Sequence, residues 1–337
     1  MTATLRPPSR SPATGELHAL VLAGGFGRRL EALATRLFGE PIPKQFCRFR
    51  GGRSLLQQTL DRLAPLAPSE RTTLVVDASQ RSRAVAQLES FPGVELVVQP
   101  CDRGTAAGVL LPLLHLVARA PTARVVLTAS DHGVVDERLF RRTLRAAAAA
   151  VAERPERLLL LGATAQAANR DYGWIVRGAP LDGARGIDQV ERFVEKPDGA
   201  TADALFASGR AWWNTMVMVA SASALLDLFR AEQPCLTAAL ESLLAREEPH
   251  GERFARAYAE LPAANFSADV IGRAASLGAL ALPAAVGWTD LGTEERLLEW
   301  LERDGALVEA QSSAKAAEGE RAAADLAALE RSAVSSS

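Results

Sequence analysis

Lysine is nearly missing from this chain. It occurs only as Lys44, Lys196 and Lys315, although lysine and arginine together number 38. Asparagine is confined to Asn169, Asn214 and Asn265, and tyrosine to Tyr172 and Tyr258. In an alanine- and arginine-rich chain this scarcity reads as a biased codon supply, so a retained lysine or asparagine is a better candidate for chemistry than usual. Cysteine is sparse too: Cys47, Cys101 and Cys235 are far apart and odd in number. That excludes a disulfide framework and a CxxC metal motif, and it fits a cytoplasmic location. Four histidines without ligand spacing give no reason to propose zinc. No run is long and apolar enough to span a bilayer. The segment before Gly15 is rich in Pro, Ser and Thr and lacks the apolar core of a signal peptide. A net charge of -2 gives no sign of a nucleic-acid tail or a basic membrane face. Any anion site must therefore be built locally.

What is present is a globular mixture, 48% hydrophobic and 23% charged in 337 residues. This is enough for one large domain or two ordinary ones with a substantial core. Apolar runs from His18 to Ala23, Thr72 to Asp77, Val94 to Gln99, Arg124 to Thr128 and Leu158 to Ala163 read as strands. Helical spacing separates them at Ser54 to Leu66, Ser79 to Leu88, Thr105 to Ala118 and Asp136 to Glu153. The alternation predicts an α/β layer architecture with a mostly parallel sheet. In the second half, Trp174 to Arg177, Ile187 to Val194 and Met216 to Ala220 read as strands of a smaller, partly antiparallel region. Helices are expected at Ser223 to Ala231, Leu236 to Arg246, Phe254 to Glu260 and Glu294 to Arg303. Residues 1–15 are expected to be disordered, 16–305 to form the folded domain, and 306–337, rich in Ala, Glu and Ser, to be a low-complexity tail.

The segment Leu22-Ala23-Gly24-Gly25-Phe26-Gly27-Arg28-Arg29-Leu30 ends a predicted strand. Glycines there let backbone N–H groups approach an anion, and Arg28 and Arg29 add forked, permanently charged donors. An ordinary strand-to-helix turn remains an equal reading of the glycines alone. A dinucleotide site needs a third glycine where Leu30 stands. A Walker loop is excluded, because no Gly-Lys-Ser/Thr occurs. Asp131, in Ser130-Asp131-His132, also follows a strand, so it should share one sheet edge with the glycine loop. As a hard oxygen donor it suits Mg²⁺.

From Ala23 to Leu30, and then Pro43-Lys44-Gln45-Phe46, the chain resembles the sugar-1-phosphate nucleotidyltransferases, whose signature is AGGxGxRL followed by PK. The PKQF form is most similar to mannose-1-phosphate guanylyltransferases. The resemblance runs from about Leu17 to Trp300, and no isomerase domain or left-handed β-helix is expected after it. It implies a Rossmann-like mixed sheet flanked by helices, the nucleotide-diphospho-sugar transferase fold, with a smaller α+β sugar-binding region. It also implies Arg29 and Lys44 on the triphosphate. Ala23, Gly24, Gly25, Gly27 and Arg28 would cradle the nucleotide. Gln99-Pro100-Cys101-Asp102-Arg103-Gly104-Thr105-Ala106 resembles the base-recognition turn, with Gln99, Gly104 and Thr105 at the nucleotide. Gly104 would admit the base closely and Thr105 would cap a helix. The implied metal ligands are Asp131 and Asp290, the latter in Gly287-Trp288-Thr289-Asp290-Leu291-Gly292.

On the sugar side, Asp171-Tyr172-Gly173-Trp174 and Phe193-Val194-Glu195-Lys196-Pro197-Asp198 resemble family elements that place Tyr172, Gly173 and Glu195 at the sugar and Lys196 at its phosphate. Asn214, in Trp213-Asn214-Thr215-Met216, and Asp269, in Phe266-Ser267-Ala268-Asp269, complete the set, although Asp269 reads equally as a helix cap. Two departures stand out. Glu31-Ala32 replaces Trp-Pro ahead of a long stretch to Pro43, and Met216 replaces a glycine. The implied reaction joins GTP and mannose 1-phosphate into GDP-mannose with Mg²⁺. The alternatives are a UTP- or dTTP-dependent glucose-1-phosphate enzyme, or a non-catalytic nucleotide-sugar-binding relative. A homodimer is compatible with the sequence.

Overall fold

The computed structural model describes residues 15–181, 186–247 and 251–303. The expected disorder before Gly15 and the expected tail from 306 onwards lie outside the described residues. Among the described residues nine strands form one sheet: β1 (Leu17–Leu22), β2 (Thr72–Asp77), β3 (Glu95–Gln99), β4 (Arg124–Ala129), β5 (Leu158–Thr164), β6 (Trp174–Pro180), β7 (Ile187–Val194), β8 (Ala211–Ser221) and β9 (Gly278–Leu282). Their order is β3-β2-β1-β4-β8-β5-β9-β7-β6, with β6 also pairing β8. The first four strands are parallel neighbours, and β5 and β9 are also parallel. Around β8 and between β6, β7 and β9 the pairing is antiparallel. The sheet is thus mixed, as expected, and its parallel part is concentrated where the glycine loop emerges.

Helices cover both faces. They are α1 (Glu31–Phe38), α2 (Leu55–Leu63), α3 (Arg81–Leu88), α4 (Gly104–Arg119), α5 (Glu137–Glu153), α6 (Gly199–Ala207), α7 (Ala222–Glu232), α8 (Pro234–Arg246), α9 (Glu252–Ala259) and α10 (Glu294–Arg303). Side chains alternate across the strands. Leu20, Val125 and Leu127 therefore join one core with α4, α7 and α8, while Ala19, Val21 and Val126 join another with α2 and α5. Each fully buried Leu, Val or Phe contributes about 1.5–3 kcal/mol. No described helix is long and apolar enough to cross a membrane.

The helix after the strand-to-helix turn is α1, while α6 and β9 were not foreseen. The long stretch before Pro43 contains α1, closed by Gly39 in a left-handed conformation at φ +80. Leu30, Leu33 and Ala34 pack there against Leu297, Trp300 and Leu301 of α10, and Arg36 pairs with Glu294. The atypical insertion thus clamps the exit of the glycine loop to the last described helix. Helix α6 is capped by Asp198, which accepts the Thr201 N–H at 2.7 Å. Strand β9 is too short and alanine-rich to announce itself.

Candidate active site

Strands β1 and β4 are parallel neighbours with Leu22 beside Ala129, and the Ser130 N–H donates to Leu22 O at 3.0 Å. The glycine loop and Asp131 therefore leave the same edge, as expected. The loop is braced from behind by two buried glutamines. Gln45 Nε2 donates to the carbonyls of Ala23 at 2.9 Å and Gly25 at 2.7 Å, and to Gln80 Oε1 at 2.8 Å. Gln80 Nε2 adds a bond to Gly25 O at 3.2 Å. Gly27 has φ +62, and a Cβ there would lie 2.9 Å from the Lys44 backbone nitrogen. This is why the loop and the Pro43–Phe46 segment fit only with glycine. Arg28 begins the 3-10 turn Arg28–Leu30, and its side chain lies outside what is described.

Lys44 is only 7% exposed. Its Nζ lies 3.1 Å from Asp131 Oδ2 and donates to the main-chain carbonyls of Asp290 and Leu291. The structure thereby brings together Lys44, Asp131 and Asp290, from three distant segments. Arg29, 57% exposed in its side chain, lies 3.0 Å from Asp171 Oδ2 and 3.6 Å from Asp290 Oδ2.

Arg296 on α10 was missed by the sequence reading. Its Nη1 donates to Asp290 Oδ1 at 2.5 Å and to the Tyr172 hydroxyl at 2.6 Å, and its Nη2 reaches Asp171 Oδ2 at 3.0 Å. Asp290 Oδ1 also accepts from the Tyr172 hydroxyl at 3.0 Å and the Gly292 N–H at 3.0 Å. Burial opposes the charge on Asp290, but Arg296, His132, Lys44 and the Gly292 N–H together hold its carboxyl below the ordinary 3.8. Burial and the nearby Asp290 raise the Tyr172 phenol. Tyr172 therefore spends its hydroxyl on Asp290 rather than presenting it to a sugar, so its place is a brace for the carboxylate. His132 is held by the Trp288 indole, whose Nε1 donates to Nδ1 at 3.3 Å, and burial lowers its pKa.

A cavity of about 360 Å³ opens beside these groups, lined by Gly24, Gly25, Gln99, Thr105, Asp131 and Met216 among others. Gln99 faces it, with its Nε2 donating to the Tyr258 hydroxyl at 3.0 Å. Gly104 lines it as well, but its reason for being glycine lies elsewhere. At φ +81, a Cβ would meet the Ala264 carbonyl oxygen at 2.3 Å. Thr105 does not cap α4; its Oγ1 accepts the Phe266 N–H at 2.8 Å and ties the turn to the next loop. Arg103 hooks the Leu261 carbonyl.

On the sugar side, a Cβ at Gly173 would meet Glu195 Oε2 at 2.7 Å and Asn214 Cβ at 3.3 Å, so these three residues converge. Burial raises the Glu195 carboxyl, opposed by Lys196. Lys196 is exposed and forms no hydrogen bond or ion pair among the described residues. Asp269 is not aimed at this convergence. Its Oδ2 accepts the Asn265 N–H at 2.8 Å and its Oδ1 lies 3.3 Å from Arg273, so it serves as the partner of the Asn265 cap. Among the described residues, the non-glycine residues with left-handed backbone are Lys196, Met216 and Leu291, all beside the site. Such clustered strain marks functional positions.

Comparison with known proteins places the chain in a family. The profile of the family described as Nucleotidyl transferase matches residues 18–305. The chain is 32% identical over 293 residues to the xanthan biosynthesis protein XanB of Xanthomonas campestris pv. campestris (strain B100), covering 85% of this chain and 60% of that protein. It is 29% identical over 297 residues to a mannose-1-phosphate guanylyltransferase of Escherichia coli (strain K12), again with 85% and 60% covered. The chain thus spans about three fifths of the length of these curated relatives. A crystal structure described as mannose-1-phosphate geranyltransferase from Thermus thermophilus superposes with a TM-score of 0.69 at 31% identity, covering 82% of this chain and 76% of that one.

Proposed function

Because the chain belongs to the nucleotidyl transferase family and has the nucleotide-diphospho-sugar transferase fold, we propose that it transfers a nucleotidyl group from a nucleoside triphosphate to a sugar 1-phosphate, releasing pyrophosphate. The preferred pair is GTP and mannose 1-phosphate. One observation carries the reaction: Lys44, Asp290 and Arg29 cluster with Asp131, which lines a cavity walled in part by glycines. The PKQF and FVEKPD spellings, and the names of the mannose-specific relatives, support the choice of pair.

The acceptor needs no general base. A phosphomonoester has a second pKa of about 6, so its oxygen is largely ionised near neutrality. That oxygen attacks the α-phosphorus as the bond to the β-phosphate oxygen breaks, and the electron pair leaves on pyrophosphate. The obstacle is bringing two anions together, so catalysis is positioning and charge neutralisation. The glycine loop, held by Gln45 and Gln80, offers a preorganised turn to the phosphates. Arg29 and Lys44 stabilise the leaving pyrophosphate. Lys196, with no competing ion pair among the described residues, holds the sugar phosphate, and Glu195 and Asn214 take sugar hydroxyls.

Mg²⁺ is the proposed cofactor. The donor chemistry suits it: Asp131 and Asp290 are hard, acceptor-only carboxylates, and both approach one cation, the Asp131 carboxylate and the Asp290 carbonyl meeting the Lys44 ammonium. Held by these carboxylates, Mg²⁺ would neutralise phosphate charge. The test is pyrophosphate release with four NTPs against several sugar 1-phosphates. GTP with mannose 1-phosphate should be fastest. A UTP- or dTTP-dependent glucose-1-phosphate enzyme would reverse that order, and no release with any pair would favour a binding protein.

A further inference from the structure

Met216 stands where the family resemblance calls for glycine, and its φ of +57 is a conformation that favours glycine. The cause is a bulge in β8. Leu161 pairs with Val217 and Gly162 with Asn214, leaving Thr215 and Met216 outside the ladder. Thr215 fixes the bulge by donating to Leu161 O at 2.6 Å and accepting the Val217 N–H at 3.3 Å. Asn214 Oδ1 accepts the Met216 N–H at 3.2 Å. The neighbours thus impose the left-handed backbone and carry the thioether into the substrate cavity. There it lines the wall with Gly24, Gly25 and Asp131. It also borders a residual space of about 10 Å³ with Asn214 and Phe266. Ser267 Oγ approaches its sulfur at 3.7 Å.

We infer that Met216 is a specificity-determining residue: its thioether closes the cavity towards Asn214, so that an unsubstituted hexose 1-phosphate fits and an N-acetylated one is rejected. This rests on the sugar 1-phosphate reading above. A methionine side chain fills space that a glycine would leave open between the main cavity and Asn214, and on the sugar 1-phosphate reading a bulkier sugar substituent directed at this wall would meet it. A pocket wall of this size discriminates by about 10- to 200-fold per methylene-sized change.

The experiment compares kcat/KM for mannose 1-phosphate and N-acetylglucosamine 1-phosphate, each with its best NTP, in the full chain, Met216→Gly, Met216→Ala and Met216→Leu. The hexose-to-N-acetylhexosamine ratio should fall at least about tenfold in the glycine and alanine variants, through improved use of the N-acetylated sugar. Met216→Leu should keep the original ratio. If Met216→Gly fails to fold, Met216→Ala carries the comparison. A ratio unchanged in folded variants, with both sugars losing activity equally, would overturn the inference and leave the reaction standing. No pyrophosphate release from the unaltered chain with any sugar 1-phosphate would overturn the reaction itself, and the inference with it.

Discussion

The Lys44 ammonium lies 3.1 Å from Asp131 Oδ2 while donating to the backbone carbonyl of Asp290. One buried cation thus joins the segment after β4 to the segment before α10. Replacing Lys44 with alanine should remove a charge aimed at the leaving pyrophosphate. A fall in kcat/KM of about 10²- to 10³-fold is expected, on the scale of losing one preorganised stabilising donor. Steady-state kinetics on a variant with native circular dichroism would check it.

Asp131→Ala should abolish turnover even at saturating Mg²⁺, while triphosphate binding weakens far less. Pyrophosphate release and nucleotide titration measure the two separately. Near-normal turnover would remove Asp131 from the catalytic set.

Arg296 holds Asp290 in its ionised form through a 2.5 Å contact and shares the Tyr172 hydroxyl. The lowered pKa of Asp290 contributes stability above the ordinary carboxylate value of 3.8, and that stability is lost as pH falls through the lower folded-state value. Arg296→Leu should raise the Asp290 pKa and so move the acid unfolding transition to higher pH. Asp290→Asn should flatten the pH dependence of stability below about pH 4. Chemical denaturation at a series of pH values tests both; identical acid limbs in all three proteins would show that the contact carries no linkage.

Gly104→Ala should be strongly destabilising, because its Cβ would meet the Ala264 carbonyl oxygen at 2.3 Å from a backbone at φ +81. A left-handed residue alone costs about 1–2 kcal/mol, and the clash adds to it. The midpoint of thermal unfolding should fall by several degrees, roughly 2–4 °C per kcal/mol in a domain of this size.

Most of the sheet was legible because its strands are apolar runs or segments alternating apolar with polar residues, closed by glycine or a polar turn. Thr72–Asp77 and Ile187–Val194 fall where the sequence alone puts them. Strand β9 was not legible, since Gly278–Leu282 has neither β-branched residues nor a length that separates it from a loop. At the site, motif residues identified which segments meet but not what each side chain does there. Tyr172 and Asp269 turn inward to other protein groups, and Thr105 ties down a loop, because hydrogen-bond partners come from tertiary packing. Gln45 stood inside a quoted motif, yet its role as a brace depends on Gln80, 35 residues away. Arg296 sat on an expected helix but in none of the quoted motifs; the packing of α1 against α10 brings that helix beside Asp290.

The most direct test of the central claim is ³¹P NMR of the purified chain with GTP, mannose 1-phosphate and Mg²⁺. The account predicts that the sugar phosphate signal disappears as a diphosphodiester and pyrophosphate appear in equal amounts, with both substrates required. Orthophosphate release from GTP independent of the sugar phosphate, or no change in either substrate, would contradict it.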